Sequence, residues 1–193
     1  MSKTQWFRRT TWSDADREDF NARLKRSRSS KAQFLRLQAL HLAKAGHHHG
    51  AIELLDRLFE EFPDKIQLAQ SHAQKAESLA ELGQAQAAVE EYRAALQAER
   101  DFPNVKTNVW LDYGWFVLEK QLSQLYEEVG AVLEEFRDEG GLKFPAIEYR
   151  YATIQALLAE TRGEKSAARN FAKMALAEAA KDHSGLRYHA TVG

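Results

Sequence analysis

The sequence predicts an all-α fold, an α-solenoid of three to four stacked helix hairpins behind an N-terminal capping helix. Three observations carry this reading. The 193 residues include only 3 Pro and 10 Gly, with 44% hydrophobic and 28% charged residues, which is the composition of a folded helical chain and not of a disordered tail. Three glycines, Gly46, Gly83 and Gly163, sit in closely similar surroundings. Apolar residues around them recur three and four positions apart, the helical spacing.

Taken in chain order, the first element starts at "SDADRE", where Ser13 and Asp16 form an approximate capping box. A helix over about 14–27 follows, with Phe20 and Leu24 on one face, and is expected to pack on the first hairpin. "SRSSK" reads as a linker. The repeated unit comes next, in "LAKAGHHHGAIELLDRLF", "LAELGQAQAAVEEYRAAL" and "LLAETRGEKSAARNFAKMAL". Seven residues before each glycine lies a small residue, Ala39, Ala76 or Ala156, and five after lies Ala51, Ala88 or Ala168. Nine after are Leu55, Tyr92 and Ala172; twelve after, Leu58, Ala95 and Ala175; thirteen after, Phe59, Leu96 and Leu176. Small residues at fixed positions let antiparallel helices approach closely. A glycine at the join supplies the left-handed backbone that turns the chain.

The 80 residues from Gly83 to Gly163 leave room for two units. The middle one, "NVWLDYGWFVLEKQLSQLYEEVGAVLEEF", offers Trp110 and small Gly114 in a first helix but "QLSQL" where a glycine turn is expected. Phe62, Phe102 and Phe136 occupy comparable unit ends in "EEFPD", "RDFPN" and "EEFRD". Pro145 sits where a helix start tolerates it. After the alanine-rich last helix, "DHSG" reads as a stop.

This pattern over residues 30–181 resembles the tetratricopeptide repeat family. The first unit carries the resemblance best through Gly46, Ala51, Ile52, Leu58 and Pro63. In the second, the closing proline comes three residues late, at Pro103, and the fourth has none. The implied organisation is an aromatic and basic segment with a capping helix over 1–30, a repeat array over 31–181, and a tail over 182–193.

Composition excludes several chemistries. Without cysteine there is no disulfide, thiolate catalysis or iron–sulfur cluster. No run approaches the roughly 18 apolar residues of a membrane span and the N-terminus lacks a signal-peptide core, so a cytoplasmic protein is expected. The net charge of −1 conceals an asymmetry, because residues 1–36 hold 10 Lys and Arg against 4 Asp and Glu while the rest holds 17 against 24.

His47, His48 and His49 suggest a metal site until their spacing is considered. Consecutive residues fan apart by about 100° each on a helix, and zinc needs three or four convergent donors. The other units place Gln84, Ala85 and Gln86, or Glu164, Lys165 and Ser166, at these positions. The triplet therefore reads as a solvated turn, and neither a metal nor another cofactor is expected. His41 reaches the triplet only if the turn folds back, and His72 only through stacking of the second unit. The pairs Glu60/Glu61, Glu90/Glu91 and Glu134/Glu135 read as solvated helix faces rather than acid–base pairs. No nucleophile elbow, P-loop or GxGxxG is present, and Asp182, His183 and Ser184 are consecutive, so the chain is not expected to be an enzyme.

The family resemblance implies a concave groove lined by the first helix of each unit. By position it would comprise Gln33, Arg36, Leu40 and Lys44; then Gln70, Glu77 and Glu81; then Asn108, Trp115 and Glu119; and Arg150, Thr153 and Glu160. Family members that clamp a terminal carboxylate use Lys or Arg followed one turn later by Asn; here Arg36 is followed by Leu40. A protein-binding scaffold with Trp115 as anchor is the leading expectation. The first alternative is an immunity- or inhibitor-type protein that occludes a bacterial toxin or enzyme. The other is nucleic-acid binding through Trp6, Phe7, Trp12, Arg8, Arg9 and the cations Arg23, Lys25, Arg26, Arg28 and Lys31; the reading favoured for this segment is a cap over the first hairpin.

Overall fold

The structure, a computed structural model, describes residues 5–137 and 144–182. Among the described residues there are nine α-helices, one 3₁₀ turn and no strand. The helices are α1 (Asp14–Arg26), α2 (Lys31–Lys44), α3 (His48–Glu61), α4 (Lys65–Glu81), α5 (Ala85–Asp101), α6 (Val109–Glu119), α7 (Tyr126–Arg137), α8 (Pro145–Thr161) and α9 (Lys165–Ala179). The chain forms two compact units, residues 1–109 and 110–193. The "DHSG" stop and all of the tail beyond Asp182 lie outside the described residues.

The first unit is built from its N-terminal cap inward. Ser13 accepts from the Asp16 backbone and Asp16 returns the bond, so the capping box is complete. Phe20 and Leu24 of α1 are buried in one cluster with Leu35, Ala39 and Leu42 of α2 and with Ala51, Leu54, Leu55 and Leu58 of α3. Trp6 packs its ring 5.2 Å from Phe20 and 5.1 Å from Phe34, and Trp12 lies 5.6 Å from Phe20. The Trp12 ring also covers Gly50, where a Cβ would lie 2.7 Å from its Cδ1. Gln38, fully buried on α2, donates to the Arg9 carbonyl at 2.8 Å and accepts from the Arg9 amide at 3.0 Å. The aromatic segment therefore covers the face of α2 that lacks a preceding hairpin.

The hairpins α2/α3 and α4/α5 are antiparallel pairs whose crossings are lined by Ala39, Ala51, Ala76, Ala88 and Ala95, all at most 1% exposed. Small side chains let the helix axes approach, and α4 also packs against α2 and α3. Glu99, buried on α5, accepts from the Thr107 amide at 2.9 Å and from its hydroxyl, which ties down the chain after Pro103.

The turns show how the repeat is closed. Gly46, Gly83 and Gly163 have φ of 82°, 73° and 74°. Each glycine amide donates three residues back, to Ala43, Ala80 or Glu160, and each following amide donates five back, to Leu42, Leu79 or Ala159. That is the Schellman pattern that satisfies the last carbonyls of a helix. The middle unit uses the same pattern without glycine. Gln121 has φ 54°, its amide donates to Leu118 and the Leu122 amide to Val117. "QLSQL" thus contains the missing turn.

Replacing Gln121 with glycine is expected to raise stability by about 1 kcal/mol, since a left-handed non-glycine residue costs roughly 1–2 kcal/mol and glycine's own entropy returns part of that. Urea denaturation measures it, and a loss of stability would mean that the Gln121 side chain contributes more than its backbone costs.

In the second unit, a 3₁₀ turn at Ser123–Leu125 precedes α7. The buried positions Val129, Val132, Leu133 and Phe136 consequently fall three residues later, relative to the turn, than Ala51, Leu54, Leu55 and Leu58. Phe62 and Phe102 close α3 and α5 as C-caps, and Phe136 lies buried in the last turn of α7. Gly114 on α6 brings its backbone against α7 and α8, with a Cβ position 3.2 Å from Val129 and 3.3 Å from Ile154. Tyr113 donates to Glu128 at 2.8 Å. Pro145 occupies the first turn of α8, and Arg137 holds Glu148 through two bonds of 3.0 and 2.8 Å while lying over the Tyr151 ring at 3.9 Å.

Candidate functional site

In the first unit the predicted groove residues divide into exposed and restrained ones. Gln33, Lys44, Glu77 and Glu81 are exposed; Leu40 and Gln70 are half-buried. Arg36 is no free contact, because its Nε donates to Gln67 Oε1 at 2.6 Å. With the Gln74 amide oriented to satisfy both groups, Arg36 Nη1 also donates to Gln74 Oε1 at 3.0 Å. Burial holds the Arg36 pKa below the ordinary guanidinium value. Arg36 therefore joins α2 to α4, a role that α2's sequence alone does not reveal.

The first helices of the second unit carry exposed apolar side chains. Trp115 on α6 is 41% exposed, and Tyr149 and Leu157 on α8 are 39% and 44% exposed. Between these helices Arg150 Nη2 meets Asp112 Oδ1 at 2.7 Å, and the Thr153 hydroxyl donates to the Tyr149 carbonyl at 2.8 Å. Arg150 is thus a bridge rather than an open cation. Asn108 and Glu160 are exposed, and Glu119 pairs with Lys120 at 3.2 Å. Tyr149 and Leu157 were missed by position. Leu157 had a legible signal: it lies six residues before Gly163, as Leu40 lies six before Gly46 and Glu77 six before Gly83.

The residues with possible chemistry lie apart. His47 occupies the N-cap of α3, and His48 and His49 open its first turn. His41 sits on α2, where burial and then the charges of Arg8 and Lys44 hold its pKa below the ordinary imidazole value. Those two cations also disfavour any metal there. Among the described residues no three His, Asp or Glu side chains converge as a metal site would require.

His72 instead stacks on Phe59 at 4.1 Å, and its Nδ1 meets Glu91 Oε2 at 2.6 Å. Lys75 binds both Glu91 at 2.6 Å and Asp56 at 2.7 Å. Glu91 is therefore not the solvated face expected from sequence; its neighbour Glu90 is, pairing with Arg93 on the surface.

At the N-terminus Trp6, Phe7 and Trp12 are partly buried against the core, Arg9 is held by Asp16 and Asp19, and Arg23 by Asp19. Lys25, Arg26 and Arg28 remain exposed. No described helix is long and apolar enough to cross a membrane.

Paired helices closed by left-handed turns, with small residues at the crossings, define a tetratricopeptide-like helical-repeat fold. A solved structure described as the crystal structure of MamA, a tetratricopeptide-like protein, is similar to it with a TM-score of 0.55 at 15% identity, covering 88% of this chain and 96% of that one. No protein-family model and no curated protein matches the sequence.

Proposed function

We propose that the chain is a non-catalytic scaffold that binds a partner protein through the exposed faces of its first helices, with the second unit supplying the anchors. The observation that carries this reading is the trio Trp115, Tyr149 and Leu157, exposed on α6 and α8 beside the Asp112–Arg150 pair. Exposed aromatic and aliphatic side chains on a rigid helix pair give contact area at little entropic cost, and tryptophan leads the residues that dominate interface energies. In the first unit the exposed first-helix residues Gln33, Lys44, Glu77 and Glu81 would offer that unit's own polar contacts. Occlusion of a toxin or enzyme would use the same surface. Nucleic-acid binding is less well supported, because the aromatic rings it needs for stacking are engaged in the core cluster.

The test begins with cross-linking and mass spectrometry to identify a partner, followed by calorimetry with the purified pair. Trp115→Ala is expected to weaken binding about 30-fold, roughly 2 kcal/mol, with an unchanged melting temperature. Native affinity in Trp115→Ala would overturn the anchor assignment, and native affinity in Glu77→Lys would overturn that of the first unit's contacts.

A further inference from the structure

The last hairpin leaves bare the positions that earlier hairpins keep covered. Nine residues after the turn glycine, Leu55 and Tyr92 are buried, whereas Ala172 is exposed. Thirteen after, Phe59 is stacked against His72 of the following helix and Leu96 is 1% exposed, whereas Leu176 is 71% exposed. Sixteen after, Phe62 is half-buried and Glu99 is 1% exposed, whereas Ala179 is exposed. Ala172, Leu176 and Ala179 are three and four residues apart and form one stripe along α9, opposite in role to the buried Ala168 and Ala175. In the first unit, the face of α3 that carries Phe59 is covered by α4. The bare stripe thus matches by position a face that the following helix covers in the first unit.

Charge specifies the occupant. Lys165, Arg169 and Lys173 are exposed beside the stripe, while Glu178, the acidic side chain within α9, is occupied by Lys181 at 2.6 Å. A second copy of α9 would bring like charges together.

We propose that this outer face of α9 docks an amphipathic helix of a partner protein, one with an apolar stripe and an acidic flank, in the place a further hairpin's first helix would take. This surface is separate from the Trp115 face, so either assignment can fail alone. The binding mode is that of a helix laid into an apolar groove with charges fixing its direction.

The experiment uses the full chain and two fluorescent synthetic peptides of about 18 residues, both with leucines three and four apart, one flanked by glutamates and its twin by lysines. Anisotropy is expected to show the acidic peptide binding at least about tenfold tighter than its twin. Leu176→Glu should weaken the acidic peptide by about tenfold or more, and Arg169→Glu with Lys173→Glu should invert the preference. All three side chains are exposed, so helicity and melting temperature serve as folding controls. Equal binding of both peptides, or full affinity in Leu176→Glu, overturns the proposal. It is equally overturned if neither peptide binds while anionic lipid vesicles do, or if the chain self-associates through Leu176 instead.

Discussion

Phe20→Ala is expected to lower the unfolding free energy by about 3–5 kcal/mol, the range for deleting a fully buried aromatic ring. Phe20 is 0% exposed and stands between the rings of Trp6 and Trp12. Its loss leaves a cavity at the contact between α1 and the α2/α3 hairpin, and the short segment over 5–12 cannot refill it. Two backbone bonds to Gln38 and the Arg9 ion pairs would still tether that segment. Denaturation monitored by circular dichroism measures the loss, and hydrogen exchange at residues 5–12 is expected to rise more than exchange in α5. A loss below about 1 kcal/mol with unchanged exchange would show that the N-terminal segment is not held by this ring.

The second large effect is expected at Glu91→Ala, a loss of about 2–3 kcal/mol at neutral pH. Removing one member of a fully buried charge pair costs roughly 3–5 kcal/mol; here residual exposure of 17% at Glu91 and 18% at Lys75 lets water screen part of it. The substitution strands Lys75 with the half-exposed Asp56 alone and takes the acceptor from His72. A double variant, Glu91→Leu with Lys75→Met, is expected to recover most of the loss, because apolar replacement of both partners removes the stranded charge.

The pH dependence follows from the same pair. Burial pushes the Glu91 carboxyl up, but hydrogen bonds from His72 and Lys75 outweigh it and hold the pKa below its ordinary 4.5. A depressed carboxyl contributes stability fully above the unfolded value and loses it as pH falls through the folded one. Burial pulls Lys75 down, but Asp56 and Glu91 outweigh it and raise the pKa above 10.5. That contribution is complete below 10.5 and is lost as pH rises further. Stability of the wild type should therefore decline on both sides of the range between about pH 5 and 10, and Glu91→Ala should flatten both arms. Unchanged acid and alkaline limbs in the variant would exclude the pair as their source.

Turn glycines, small residues at helix crossings and a capping box are local requirements, so they are legible in the chain. Gly46, Gly83 and Gly163 locate three turns because only glycine takes that backbone without strain. Ser13 and Asp16 mark the start of α1 because their bonds span three residues. Trp115 was an expectation carried over by position from the family resemblance, and its side chain is 41% exposed. Local reasoning failed wherever a partner distant in sequence sets the role. Arg36 reads as a groove cation until Gln67 and Gln74 of α4 claim it. Glu91 reads as solvated until α4 presents His72 and Lys75 to it. Gln121 reads as a break in the repeat until its φ shows that a strained residue does glycine's work.

Spacing by itself determined the hairpins, the order of their helices and the chain positions available to face outward. Only the tertiary structure decided which of those positions are free, because burial and pairing depend on side chains that folding brings from 7 to 38 residues away, as in Arg9–Asp16 and Arg150–Asp112. Spacing along one helix carries no record of such neighbours. The exposure of Leu176 makes the same point: its sequence position matches that of buried Leu96, and what differs is the packing around it.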